Sequence, residues 1–209
     1  MSSHPVAGIP LPDAVGGHPA LDFCNTRAAW GAQQPKEYLT SPLALALWAW
    51  DTGLAPGGSP GGAGLTPTTA EEVEAAVRAR PAEGSAALRR ALALREAMYR
   101  CALGRGEASH WQVVSREAVA ARAASTLVTG PTGARWVLAD GVGPALLGLH
   151  AAAGCAEDLL TSPLITCVAA CPGAGCGWLF ADRRRRRRWC SMALCGNRAK
   201  ARRHAERHP

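Results

Sequence analysis

Aromatic residues make up only 5% of this 209-residue chain, with two Phe and two Tyr beside seven Trp. Lysine is scarcer still, two against 21 arginines, a skew that fits GC-rich coding and carries no functional weight of its own. The missing chemical patterns say more. No Ser/His/Asp set, paired-carboxylate motif or glycine-rich cofactor fingerprint occurs, so an enzyme is not expected. The Gly/Pro-rich stretch 53–64 has no phosphate-binding lysine and is not a nucleotide loop. The opening MSSHPVAGIPLPDAVGG lacks a basic start followed by an apolar core, so secretion is not expected. The uncharged run Leu159 to Ala181 has the length to cross a bilayer. Pro163, Pro172, three glycines and three cysteines interrupt it, so no membrane span is expected and the protein is placed in the cytoplasm.

What the chain does have is a strongly divided charge. From Cys171 onward eleven Arg and Lys face only Asp182 and Glu206, a formal +9, while residues 1–170 carry −2. The length suits one compact domain plus a small module, and 48% hydrophobic residues argue for a globular body.

The tail reads CPGAGCGWLFADRRRRRRWCSMALCGNRAKARRHAERHP. Cys171-x4-Cys176 and Cys190-x4-Cys195 flank a spacer able to form a hairpin, and the second pair opens a helix. That is the layout of a treble-clef-like structural zinc module, in which four thiolates close a tetrahedral site and leave no position for substrate. A segment this short buries too little to fold alone, and metal binding supplies the difference. Leu179 between Trp178 and Phe180 reads as a short strand, with Arg188-Trp189 able to return beside it. Asn197 reads as the cap of a basic final helix. Two other uses of these residues stand beside the zinc site. One is a disulfide framework, which needs an oxidising compartment. The other is a mixed site from Cys190, Cys195, His204 and His208, which strands Cys171 and Cys176. Cys167, four residues before Cys171, reads as structural, with substitution as a ligand under oxidation as its alternative.

The run Trp189-Cys190-Ser191-Met192, then Cys195-Gly196-Asn197-Arg198 and Lys200, resembles the CGNR zinc finger of bacterial proteins, and Gly177 to Phe180 with Asp182 matches the segment after its first cysteine pair. Further upstream, Leu21-Asp22-Phe23-Cys24-Asn25-Thr26 resembles the opening motif of the ABATE domain that typically precedes this finger. The resemblance implies a stress-related transcription regulator. It also singles out Asp22 and Asn25, which either face a small-molecule ligand or bond to nearby backbone, as such residues readily do.

Along the body, residues 1–19 read as a flexible arm, 20–165 as an α+β, mostly helical domain and 166–209 as the finger. Ser41-Pro42 opens an apolar helix, with Trp48 and Trp50 in the core. Thr66-Pro67 opens a second helix that Pro81 ends. Ser85 to Leu103 is the strongest helix, Ser109 to Ala124 follows, and Pro144 to Leu160 is the last. Ser125–Val128 and Arg135–Ala139 read as an antiparallel hairpin, and 164–169 as a strand. Cys24, Cys101 and Cys155 are isolated and read as buried thiols.

These features predict a DNA-binding regulator that holds zinc through Cys171, Cys176, Cys190 and Cys195. Its nucleic-acid contacts are expected from Arg183, Arg184, Arg185, Arg186, Arg187 and Arg188 on an exposed turn, and from Arg198, Lys200, Arg202 and Arg203 on the helix, because guanidinium forks suit phosphate and guanine edges. A small-molecule effector and a homodimer are compatible with that role. RNA binding, docking of an acidic protein and a small-molecule enzyme in residues 20–165 are its rivals.

Overall fold

The computed structural model describes residues 2–30, 32–54, 69–130, 133–139 and 141–207. Most of the 53–64 stretch, the Thr66-Pro67 helix start, Pro131 and Thr132 of the hairpin turn, and His208 with Pro209 lie outside the described residues. The chain runs through β1 (Ser3–Val6), β2 (Ile9–Pro12), α1 (Pro19–Cys24), β3 (Arg27–Ala28), β4 (Lys36–Glu37), α2 (Pro42–Asp51), α3 (Ala70–Arg78) and α4 (Pro81–Ala102). It continues with α5 (Ala108–Ala123), β5 (Ser125–Gly130), β6 (Gly133–Leu138), α6 (Pro144–Thr161), β7 (Val168–Ala170), β8 (Leu179–Ala181) and α7 (Asn197–Arg207). The fold is α+β and mostly helical, and among the described residues its strands form four separate antiparallel pairs.

Helix α6 is the hub of the body, with α1, α2, α4 and α5 packed around it. Its buried face is built largely from Ala145, Gly148, Ala151, Ala152, Ala153 and Ala156, small residues that let neighbouring backbones approach. A Cβ on Gly148 would stand 3.0 Å from the Leu45 carbonyl oxygen, so α2 crosses α6 where only glycine fits. Helix α2 is capped by Ser41, whose hydroxyl accepts the Ala44 N–H at 3.1 Å, and Pro42 occupies its first turn. Residues 44–49 are all buried, and Trp48 packs at a tilt on Phe23, ring centroids 5.2 Å apart.

Several local expectations are corrected. Residues 3–12, expected as part of a loose arm, form the β1–β2 hairpin. Ala7 and Gly8 both take positive φ (47° and 77°), the two-residue turn that matches strand twist. His4 pins that hairpin by bonding Asp13 and Asp51. Pro81 not only follows α3 but also opens α4, since proline needs no N–H donor in a first turn, so the helix starts earlier than Ser85. The strand expected over 164–169 is a 3-10 turn, Pro163–Cys167, followed by β7. Strand β8 pairs with β7, not with Arg188-Trp189, so the first cysteine pair sits in the β7–β8 turn. Among the described residues no helix is long and apolar enough to cross a membrane.

Candidate metal centre and the basic elements around it

Strands β7 and β8 bring Cys171 and Cys176 together by closing the loop between them: the Cys171 N–H donates to the Trp178 carbonyl at 2.8 Å. Gly175 and Gly177 take φ of +65° and +69°, the left-handed values the loop needs to curl back. Gly173 lies over the thiols, where a Cβ would meet the Cys195 Sγ at 3.0 Å. The second pair straddles the start of a helix. Cys190 precedes it and Cys195 lies in a widened turn, Met192–Gly196, that runs directly into α7. Asn197 is therefore inside a continuous helix and its amide donates to the Ala193 carbonyl, which corrects the expected cap.

All four Sγ atoms lie within 4.8 Å of one another, and each cysteine is at most 4% exposed. Cys176 to Cys190 and Cys190 to Cys195 are both 3.7 Å. A tetrahedron with metal–sulfur arms of about 2.3 Å has edges of about 3.8 Å, so these spacings fit a thiolate-bound tetrahedral ion. Electrostatics point the same way. The hydrogen bond from Cys190 lowers the Cys176 thiol to about 5, while that same contact pushes Cys190 up, and burial pushes Cys195 up. A dication bound between the four sulfurs would hold them as thiolates and be neutralised by them. The Arg198 guanidinium donates to the Cys195 Sγ at 3.2 Å, a bond that raises its own pKa.

No other group of three or more potential ligands occurs among the described residues. His204 sits on exposed α7 and His208 lies outside the described residues, so the mixed site is not formed by what is described. Cys167 is half-buried beside the Thr166 hydroxyl, apart from the four. Cys24 and Cys101 are buried and their thiols pushed up, and desolvation lifts the half-buried Cys155 to about 12, so all three behave as inert apolar fillers.

The metal cluster is completed by the helical body. Ala28, Tyr38 and Trp178 join the four cysteines and Phe180 in one buried cluster, with Trp30 against its edge. The Asn25 amide clamps β8 from both sides, donating to the Leu179 carbonyl at 2.9 Å and accepting its N–H at 2.7 Å. Trp178 Nε1 donates to the Arg27 carbonyl at 3.1 Å, and the Tyr99 hydroxyl donates to the Gly177 carbonyl at 2.8 Å. Trp30 stacks on Tyr99 at 3.7 Å and sends its backbone N–H to the Cys176 carbonyl. Asp22 accepts the N–H groups of Val15 and Gly16, and the Gly16 carbonyl receives the Ala181 N–H. Burial raises the Asp22 pKa against the pull of those two donors. Asp22 and Asn25, expected as candidate ligand contacts, are thus occupied with the chain's own backbone, and Asn25 is fully buried. Arg95, 3% exposed, secures the next residue by bonding Thr26 Oγ1 at 2.9 Å and Glu37. Sequence reasoning missed Trp30, Tyr99 and Arg95, because only the tertiary fold brings them to the cluster.

The arginine run divides into two kinds. Asp182 holds the turn, its carboxylate accepting the backbone N–H groups of Arg184 and Arg187, and Arg185 takes a left-handed φ of 51°. Arg187, itself exposed, folds back on the module: its guanidinium stacks on Phe180 at 4.8 Å and donates to the carbonyls of Val15 and Cys190. Arg188 lies over Trp189. Among the described residues no hydrogen bond, ion pair or ring contact engages the side chains of Arg183, Arg184, Arg185 and Arg186, all exposed. On α7 no residue is buried. Arg202 pairs with Glu206 at 3.6 Å, Arg203 reaches back to the Ala199 carbonyl, and Lys200 is exposed.

Comparison with known families follows this division. Residues 168–208 match the family model "CGNR zinc finger". Residues 17–163 match the ABATE model, described as "Putative stress-induced transcription regulator". No curated protein matches the chain. The ABATE match spans more than half of the sequence and the cysteine cluster falls wholly inside the finger match, so the chain belongs to the ABATE family and carries a CGNR zinc finger at its C-terminal end.

Proposed function

We propose that this protein is a cytoplasmic transcription regulator that binds duplex DNA through a zinc-ordered basic module, and that it has no catalytic role. The observation that supports it most is the pairing of a buried four-thiol cluster with unengaged cations around it. Four consecutive exposed arginines and a basic helix without one buried residue flank the cluster. Groups that neutralise the thiolates or brace the fold, Arg198 and Arg187, leave the rest of the +9 excess for phosphate. Zinc is the ion a closed all-cysteine tetrahedron favours. The helical body serves as scaffold for the metal module. An effector acting on it would bind away from Asp22 and Asn25, whose polar atoms hold the backbone.

Competition binding with zinc-loaded full-length protein tests the proposal. Unlabelled duplex DNA should displace a labelled duplex more effectively than equal concentrations of hairpin RNA or polyglutamate. Preferential displacement by RNA would favour RNA binding, and by polyglutamate an acidic protein partner.

A further inference from the structure

Helix α7 is unusual in what it lacks. Eleven residues long, it has no buried position; it packs mainly on the turn at its own root, and its first turns border the loop at Gly173 and Ala174. Its apolar residues are Ala199, Ala201 and Ala205, so it has no large apolar side chain with which to dock on a protein groove. Its charged residues are ordered. Lys200, Arg203 and Arg207, at i, i+3 and i+7, fall on one face together with His204 and line a common open cleft. The acidic Glu206 is spent on Arg202 along a neighbouring line. The root is firm, because Gly196 is packed under Met192 and Trp189 and the preceding Cys195 belongs to the thiol cluster.

Resting on the duplex-binding reading above, we infer that α7 enters the major groove of DNA and reads guanine edges with Lys200, Arg203 and Arg207, while Arg183 to Arg186 grip the phosphate backbone. A helix about 10–12 Å across fits the roughly 12 Å major groove of B-form DNA. It does not fit the deep, narrow major groove of an RNA helix. The stripe spans about 10 Å at 1.5 Å per residue, close to the rise of three base pairs. Arginine and lysine reach guanine O6 and N7 from that groove, arginine through two bonds. The turn has no such order: its four free arginines are consecutive and point outward from an irregular loop, which suits contact without sequence discrimination.

Selection from a random-sequence duplex library with the zinc-loaded full chain tests this. The expected result is enrichment of a short guanine-containing site, and replacing its guanines with 7-deazaguanine should weaken binding about tenfold or more, since only the major-groove acceptor N7 is lost. The Lys200→Ala/Arg203→Ala/Arg207→Ala protein should lose the enrichment and keep sequence-independent binding. Replacing Arg183, Arg184, Arg185 and Arg186 with alanine should weaken binding to all duplexes alike and retain the preference. All seven side chains are outside the core, so both variants fold. Normal duplex binding with no enrichment, or with full affinity for the deaza duplex, would overturn the groove assignment and leave DNA binding standing. Absence of duplex binding, or tighter binding to hairpin RNA, would remove the underlying function as well.

Discussion

The Asn25 side chain and the Leu179 backbone, 154 residues apart in sequence, exchange two hydrogen bonds of 2.7 and 2.9 Å in a fully buried setting. That pair joins α1 of the body to the strand that follows the first two metal-site cysteines. Asn25→Ala strands a buried N–H and a buried C=O, at about 1–3 kcal/mol each. Urea unfolding should show a lower midpoint at nearly unchanged slope, together with faster loss of metal to a chelator. A midpoint within error of wild type would mean the clamp does not matter to stability.

Metal removal should be felt beyond the finger. Trp178 is fully buried between the thiol cluster and the Arg27 carbonyl, and Trp30 bonds the Cys176 carbonyl. Chelation, or Cys190→Ser, should abolish the ordered near-ultraviolet signal of these indoles, expose α7 and β8 to rapid amide exchange, and lower the melting temperature of the remaining body. Helices α2, α4, α5 and α6 have their own core and should stay protected. Unaltered exchange at Leu179 after chelation would contradict the shared core.

Arg198 and the free arginines should separate cleanly. Because Arg198 donates to the Cys195 sulfur, Arg198→Ala should weaken metal retention by about 10–100-fold, the usual scale for a group that bonds a ligand. With zinc in excess, its DNA salt dependence should stay close to wild type. A large drop in salt slope with unchanged metal affinity would return Arg198 to the phosphate-contact set.

The body has two titrating contacts of opposite sign. Glu117 is fully buried. Burial alone would raise its pKa, yet hydrogen bonds from Arg90 and Arg116 hold it below the ordinary 4.5. Its contribution is present above the unfolded value and lost as pH falls through the folded one, so the stability gap between wild type and Glu117→Gln should close on acidification below 4.5. His4 is raised above 6.5, chiefly by its hydrogen bond to Asp13 and also by Asp51. Its contribution is complete below 6.5 and fades as pH rises through the folded value, and it is small because the pair is exposed. Stability of His4→Ala against wild type from pH 5.5 to 8 should show a narrowing difference.

Much of this architecture was legible because local chemistry marks it. Ser41-Pro42 forms a start signal whatever the tertiary context, and the paired Cys-x4-Cys spacings identify the metal cluster from the tail alone. Strand pairing was legible for the β5–β6 hairpin but not for β8. Leu179 has an alternating neighbourhood that suits either Val168–Ala170 or Trp189 as partner, and only the packing of the partly buried Val168 and Ala170 against the body decides between them. Of the two motif residues, Asp22 follows the nearby-backbone reading, while the role of Asn25 was illegible for the same reason. Asp22 bonds backbone six and seven residues upstream, but the partner of Asn25 lies at the far end of the chain. Six identical arginines likewise look equivalent in sequence, while Phe180 and the Val15 carbonyl turn one of them, Arg187, into a brace.

The central claim is tested most directly by duplex binding measured as fluorescence anisotropy over a series of salt concentrations, with the full chain zinc-loaded and then chelated. Four phosphate contacts from Arg183 to Arg186 predict a log–log slope of about −4 or steeper, by the rule of roughly −0.9 per contact. Chelation should flatten the slope and weaken binding, because the turn and α7 lose the cluster that orders them. Absence of duplex binding at low salt, or identical curves with and without metal, would contradict the account.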